Sequence, residues 1–217
     1  MGFRFSDFSA SSSTQTASAA AKSSFDHGVE YPAMIAGLWT ATNEYQGVVK
    51  GGVCILIAVE DNDSKVAFRT MFVPLGKMEN GQLNYGYVLG ARATYAKLMQ
   101  GLLRCSDTDA ELQKKIVDAK LESLSSLVGL PCLARMSIKE SNGKKWANID
   151  AIQGETARSK GIDVNSLSVE SLPPVDIQRV AGKFVVIQNA DDCETVKGLR
   201  LKNDKAVDDK AVDDIPF

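Results

Sequence analysis

The segment 132–153 reads as two alternating runs joined by Asn142-Gly143, and nothing else in the chain restricts the fold so tightly. Asn-Gly tolerates positive φ at both central positions of a type I′ turn, whose twist matches that of the strands it joins. A two-residue turn then sets the register. Ser141 opposes Lys144, Lys139 opposes Trp146, Ile138 opposes Ala147, and Met136 opposes Ile149. One face of this hairpin is apolar, with Met136, Ile138, Ala147 and Ile149. The other carries Arg135, Ser137, Lys139, Lys144, Trp146, Asn148 and Asp150. A slip of one residue would turn the apolar set toward water, so the pairing is strongly specified.

Upstream, three further strands are expected. Ala33 to Thr42 is apolar with Gly37 inside it, suited to a long, bent strand; Gly51-Gly52 leads into Val53–Val59, a buried strand by composition. Glu60–Ser64 is a turn, and Lys65 to Leu75 a third strand stopped by Pro74 and Gly76, so the three can form a meander. After Gly86 the period changes: Val88, Ala91, Tyr95, Leu98, Met99 and Leu102 recur at helical spacing. Thr108 with Glu111 forms a capping box for a second helix with the face Leu112, Ile116, Val117, Leu121, Leu124 and Val128, ended by Gly129 and Pro131. Three strands, a helical insertion and two strands follow the order of the OB-fold, a five-stranded Greek-key barrel with a helix between strands 3 and 4. The expected class is therefore mainly β, with one helix more than the simplest version of that barrel.

Around this domain, assigned to 27–153, the composition shifts. Residues 9–24 are small and polar, so 1–26 reads as a flexible Ser/Ala-rich leader, with Phe3, Phe5 and Phe8 as isolated aromatics. Residues 154–190 form a polar extension containing Pro173-Pro174 and an extra strand within Gln178–Gln188. Disorder is expected from about Asp191, giving an acidic tail over 191–217.

Charge argues against strong phosphate binding by the domain as a whole. Residues 201–217 hold five Asp against three Lys, while 27–153 hold fourteen Lys or Arg against thirteen Asp or Glu. Any nucleic-acid affinity must come from local placement of cations and from stacking. The four cysteines are far apart, with no CxxC pair and a single histidine, His27, so no zinc pattern is present. His27 suits a surface or capping role. The Gly47–Gly52 stretch lacks phosphate-loop spacing, and Glu60, Asp61 and Asp63 read as a solvated turn. No nucleophile set accompanies them, so neither enzyme activity nor a cofactor is expected. With no secretory h-region and no apolar stretch near ~20 residues, the chain reads as cytoplasmic, without a membrane partner and with reduced thiols.

The tail carries the functional information. Lys205-Ala206-Val207-Asp208-Asp209 repeats as Lys210-Ala211-Val212-Asp213-Asp214 and closes on Ile215-Pro216-Phe217. This is an acidic lure with a hydrophobic hook, in which Pro216 reduces the entropy lost on docking. The ending Asp213-Asp214-Ile215-Pro216-Phe217 resembles the tip of bacterial and phage single-stranded DNA-binding proteins. That resemblance covers the tail and the inferred barrel, about 31–153, and points to a phage member. It implies sequence-independent binding of single-stranded DNA in replication, recombination or repair. It also implies that the tip recruits replication and repair proteins and competes with DNA for the groove. Duplex DNA stays open as a further ligand. The rival reading is an OB-fold adaptor that binds proteins through its tail without a strand groove; the near-neutral domain favours it.

Candidate DNA contacts follow from stacking chemistry. Trp146 comes first, on the polar hairpin face with Lys139 opposite and Lys144 and Arg135 nearby. Trp39, Tyr45, Phe68 and Phe72 are weaker aromatic candidates, as are Tyr85 and Tyr87. Phe68 and Phe72 share a strand face with Val66, and Arg69 and Lys65 take the opposite one. Either these aromatics are core and the cations meet DNA, or the reverse. Lys50 and Lys77 complete the candidate phosphate contacts.

Overall fold

A computed structural model describes residues 24–80, 82–84, 94–107, 110–165, 172–188 and 193–201. The architecture is mainly β. Strands β1 (Glu30–Tyr45), β2 (Val48–Glu60) and β3 (Val66–Glu79) form an antiparallel meander, followed by the short β4 (Gln82–Asn84). Helices α1 (Thr94–Leu102) and α2 (Ala110–Asp118) and one 3-10 turn at Leu124–Leu127 lead to β5 (Pro131–Ser141) and β6 (Lys144–Gln153). The sheet is open and runs β4-β3-β2-β1-β5-β6. No backbone ladder joins its outer strands β3 and β6 among the described residues; they approach each other through side chains, and α1 packs on both.

The hairpin has the expected register, pair for pair, from Ser141–Lys144 to Met136–Ile149. Asn142 and Gly143 take φ of 52° and 68°, as a type I′ turn requires. A bulge at Arg135/Met136 shifts the remaining pairs by one, so Arg135 opposes Ala151. The third strand does not stop at Pro74 and Gly76. It absorbs Pro74 at a bulge against Gly51/Gly52 and continues to Glu79, the position in a ladder where a missing N–H is tolerated. The second expected helix is shorter than its pattern: Val117 is exposed, and Leu124 belongs to the 3-10 turn. Its capping Thr108, like Val88 and Ala91, lies outside the described residues.

Two apolar cores lie on opposite faces of the meander. The inner one gathers Ile35, Leu38, Val53, Ile55, Ile57 and Val73 with Leu98, Met99 and Leu102 of α1, Leu112 and Ile116 of α2, and Met136 and Ile152 of the hairpin. Phe25 also joins it, stacked edge-on against Tyr31 at 5.0 Å, so the domain begins before His27. The outer core joins Met34, Trp39, Cys54, Leu56 and Phe68 to Ile162, Leu172, Val175, Ile177, Ile187, Val196 and Leu199. Hence β1 and β2 are buried on both faces over most of their length.

The extension that supplies the outer core differs from its sequence reading in two ways. The expected strand over Gln178–Gln188 divides into helix α3 (Ile177–Ala181) and strand β7 (Val185–Ile187). Asp176 caps α3, its side chain accepting the Arg179 N–H at 3.1 Å. Nor is the chain just beyond Asp191 all tail, since residues 193–201 are ordered. Strand β8 (Glu194–Thr195) pairs with Gly37 and Leu38 of β1, and Val196 and Leu199 are buried. Where β5 leaves β1 after Met34, β8 and β7 take over its free edge as far as Asn43. The extension crosses toward the outer face at Gly161, where a Cβ would collide with the Cys132 backbone and the Ala33 carbonyl. The leader residues 1–23, with Phe3, Phe5 and Phe8, and the tail 202–217 lie outside the described residues.

Candidate nucleic-acid interface

Trp146 stands on the face of the hairpin that points away from the inner core, 46% exposed, with Lys139 directly across the ladder. Alternation produces this placement. Ala147 and Ile149 pack against the inner core, so Trp146 and Asn148 turn outward. Lys139 and Lys144 are exposed and make no ion pair among the described residues. Arg135 is committed elsewhere, with Nε and Nη2 donating to Asp150 Oδ2 at 3.0 and 2.8 Å. His27 lies at the root of this hairpin, its Nδ1 accepting the Ile138 N–H at 3.1 Å, a capping role.

Strand β3 satisfies neither of the two sequence alternatives. Phe68 is buried in the outer core and Phe72 packs half-buried against it, while Arg69 lies on the inner face. Its guanidinium donates to the Phe68 carbonyl at 2.8 Å and, across the seam, to the Ala147 carbonyl at 3.2 Å; Cζ lies 5.5 Å from the Phe25 ring centroid. Phe68 is buried while Phe72 and Arg69 are half-buried, because the strand has a core on each side. Phe68 thus serves as a packing residue of the outer core, and Arg69 holds two backbone carbonyls. Trp39, expected as a weaker aromatic candidate, is instead 0% exposed in the outer core, and its indole N–H is buried without a hydrogen-bond partner among the described residues. Lys65 remains exposed in the β2–β3 turn, 3.8 Å from Asp63.

That turn is built around Asp61. Its carboxylate accepts the N–H groups of Ser24, Asp63 and Lys65 at 3.2, 2.9 and 3.0 Å. Burial works to raise its pKa, but these backbone donors outweigh it and hold the carboxyl below its ordinary value. Asp61 thus organises a hydrogen-bonded turn that includes Asp63, while Glu60 closes β2 opposite Val66. The cysteines are all free, and burial pushes the Cys54 and Cys132 thiols up to about 12, which leaves both as protonated packing groups.

A second group of candidates collects at the other end of β1. Tyr45, at the β1–β2 turn, is 63% exposed. Lys50 pairs with Asn43 on one side and with Lys77 on the other, so both lysines share the outer face with Trp39 and Ala41. Sequence reasoning missed two neighbours. Phe184 is 51% exposed, with Lys183 Nζ 4.5 Å from its ring centroid, and both precede Val185, the partner of Asn43. The signal was available: Gly182 ends α3, and a Lys-Phe pair in the tight connection that follows has no helical or strand face to bury it. Tyr85 and Tyr87, and the tip residues Asp213, Asp214, Ile215, Pro216 and Phe217, lie outside the described residues.

Comparison with protein-family models, curated proteins and solved structures finds no match for this chain. No helix among the described residues is long and apolar enough to cross a membrane.

Proposed function

We propose that the chain binds single-stranded DNA without sequence preference, through an OB-fold-like barrel formed by β1, β2, β3, β5 and β6. The strand order β3-β2-β1-β5-β6, with helices inserted between β3 and β5, supports this reading of the fold. The observation that carries the function is Trp146, a half-exposed indole on an outward face with Lys139 across from it. Base stacking on such a ring contributes roughly 1–3 kcal/mol and works with any base. The acidic ending Asp213-Asp214-Ile215-Pro216-Phe217 adds the family resemblance, and with it partner recruitment and competition for the groove.

One observation favours the rival, a protein-binding adaptor without a strand groove. OB-folds read nucleic acid on the face of their second and third strands, and here the outer face of β2 and β3 is covered by the extension. A titration of Trp146 fluorescence with oligo(dT) across a salt series separates the two. Strand binding predicts quenching that weakens with salt. Trp146→Ala should then reduce affinity by about 1–3 kcal/mol while thermal unfolding barely moves. Truncation after Leu201 keeps the packed extension and should tighten binding by removing an internal anion. No quenching at low salt leaves the adaptor reading.

A further inference from the structure

We infer that Asn148 contacts the edge of the base stacked on Trp146, and that its amide lets the site hydrogen-bond to whichever base is stacked there. This rests on the single-strand reading above and gives its tolerance of any base a chemical origin.

Register sorts the charges of the hairpin by face. The outward side is built from the pairs Ser141–Lys144, Lys139–Trp146 and Ser137–Asn148, because the alternate residues Ile138, Ala147 and Ile149 pack on the inner core. This row holds two lysines and no carboxylate. The acidic residues of the hairpin are held apart from it. Glu140 pairs with Lys145 on the opposite side of the ribbon, 3.8 Å from its ammonium. Asp150, left without a cross-strand partner at the bulge, is bound by the Arg135 guanidinium. An anionic strand lying along the row meets Lys139 and Lys144, which no carboxylate holds among the described residues.

Asn148 is exposed and makes no hydrogen bond among the described residues. It lies two residues from Trp146 on the same strand and face, about 7 Å of rise, within reach of the edge of a base that covers the indole. The backbone beneath the row is held from both sides. On one side Met136 exchanges bonds with Gly28 and Val29, at 2.8 and 3.0 Å, and the Ile138 N–H reaches His27. On the other, Arg69 donates to the Ala147 carbonyl at 3.2 Å. Such support fixes the spacing of ring and amide before a ligand arrives. A carboxamide offers an acceptor and donors side by side, on a torsion that turns easily. Turned one way, it matches the amino group and ring nitrogen of adenine or cytosine. Turned the other way, it matches the carbonyl and ring N–H of thymine or guanine. A lysine offers only donors and a carboxylate only acceptors, so either would select among bases.

The test titrates the full chain, Trp146→Ala, Asn148→Ala and Asn148→Asp with oligo(dA), oligo(dC) and oligo(dT) of about eight nucleotides, at one low salt concentration. Trp146→Ala should weaken all three. Asn148→Ala should weaken each by about three- to tenfold, and by factors that agree within about twofold, as loss of one unselective hydrogen bond requires. Asn148→Asp adds a charge that weakens every strand, but its carboxylate still accepts from the amino groups of adenine and cytosine. The ring N–H of thymine lies between two carbonyl oxygens that repel it. The loss for oligo(dT) should therefore exceed that for oligo(dC) by at least about fivefold. Equal losses for oligo(dT) and oligo(dC) in Asn148→Asp would overturn the base-edge contact. So would a large drop in Tm for Asn148→Ala, which would make the residue structural. If both Asn148 variants bind like the parent while Trp146→Ala does not, the contact is wrong and the single-strand reading stands. If the parent binds none of the three, both fall together.

Discussion

The two faces of the β1–β2–β3 meander are buried by different means. On the inner face the core closes among residues 25–152, with α1, α2 and the hairpin folding back onto strands near them in the chain. On the outer face the same strands are closed by residues between Ile162 and Leu199, whose described elements are one short helix, turns and two- or three-residue strands. The inner face is covered by helices and strands close to it in the chain. The outer one depends on a segment that has little regular structure of its own and gains it by pairing with the free edge of β1. The packing therefore continues across residue 153, and the exposed rings Tyr45, Trp146 and Phe184 lie outside both cores.

Removing the extension is the strongest way to break this comparison. Ending the chain after Gln153 exposes Met34, Trp39, Leu56 and Phe68 together, each a residue whose burial contributes on the order of 1.5–3 kcal/mol. Their sum rivals the 5–15 kcal/mol that typically separates folded from unfolded states. We expect the truncated chain to lose its cooperative urea transition. A sharp transition at the parental midpoint would show that the outer core is an accessory.

Trp39 sharpens the comparison within the outer face. Trp39→Ala should destabilise by about 3–5 kcal/mol, as large core truncations do. Trp39→Phe should cost less than about 1.5 kcal/mol, because it also removes an indole N–H that lies buried without a partner. Equal losses from the two in chemical denaturation would mean that the indole has a partner in solution.

Arg69 probes the seam between β3 and β6, where a guanidinium joins strands that no ladder joins among the described residues. Arg69→Met should lower stability by about 1–3 kcal/mol through the stranded carbonyls and leave oligonucleotide affinity within about twofold. A selective loss of affinity at unchanged stability would return Arg69 to the binding surface.

The smallest effect expected is that of Asp61, on the turn that ties Ser24 to the β2–β3 connection. Its carboxyl titrates below the ordinary 3.8, so its contribution is fully present above that pH and is lost as pH falls through the depressed folded value. Asp61→Asn should therefore be less stable than the parent at neutral pH, by about 1–2 kcal/mol. The gap should narrow below pH 3.8. A constant gap across that range in urea titrations would remove Asp61 from the acid response.

The hairpin was legible to the residue because a two-residue Asn142-Gly143 turn leaves one register that keeps Met136, Ile138, Ala147 and Ile149 on a single face. Trp146 was legible as an outward residue for the same reason. The ends of β3 and α2 were not, because alternation and helical period mark which residues prefer burial and not where a neighbour stops supplying it. The Pro74 bulge and the exposed Val117 are both of that kind. Helix α3 had local signals, Asp176 before it and Gly182 after it, that the apolar run Phe184–Ile187 outweighed.

By itself the sequence determined the elements whose information is local: the turn at Asn142-Gly143, the buried run Val53–Val59, the helical insertion and the acidic, hook-ended tail. Only the tertiary structure decided what covers the outer face. Trp39, Phe68 and Arg69 carry the residue types of a binding surface, and their burial depends on Ile162 to Leu199, a stretch with no period of its own. A strand's pattern states how many of its faces are apolar, whereas which distant segment reaches them is settled by chain path and free edges. Here the free edge of β1 drew in β7 and β8, and the same pairing left Tyr45, Phe184 and Trp146 at the exposed ends of the sheet.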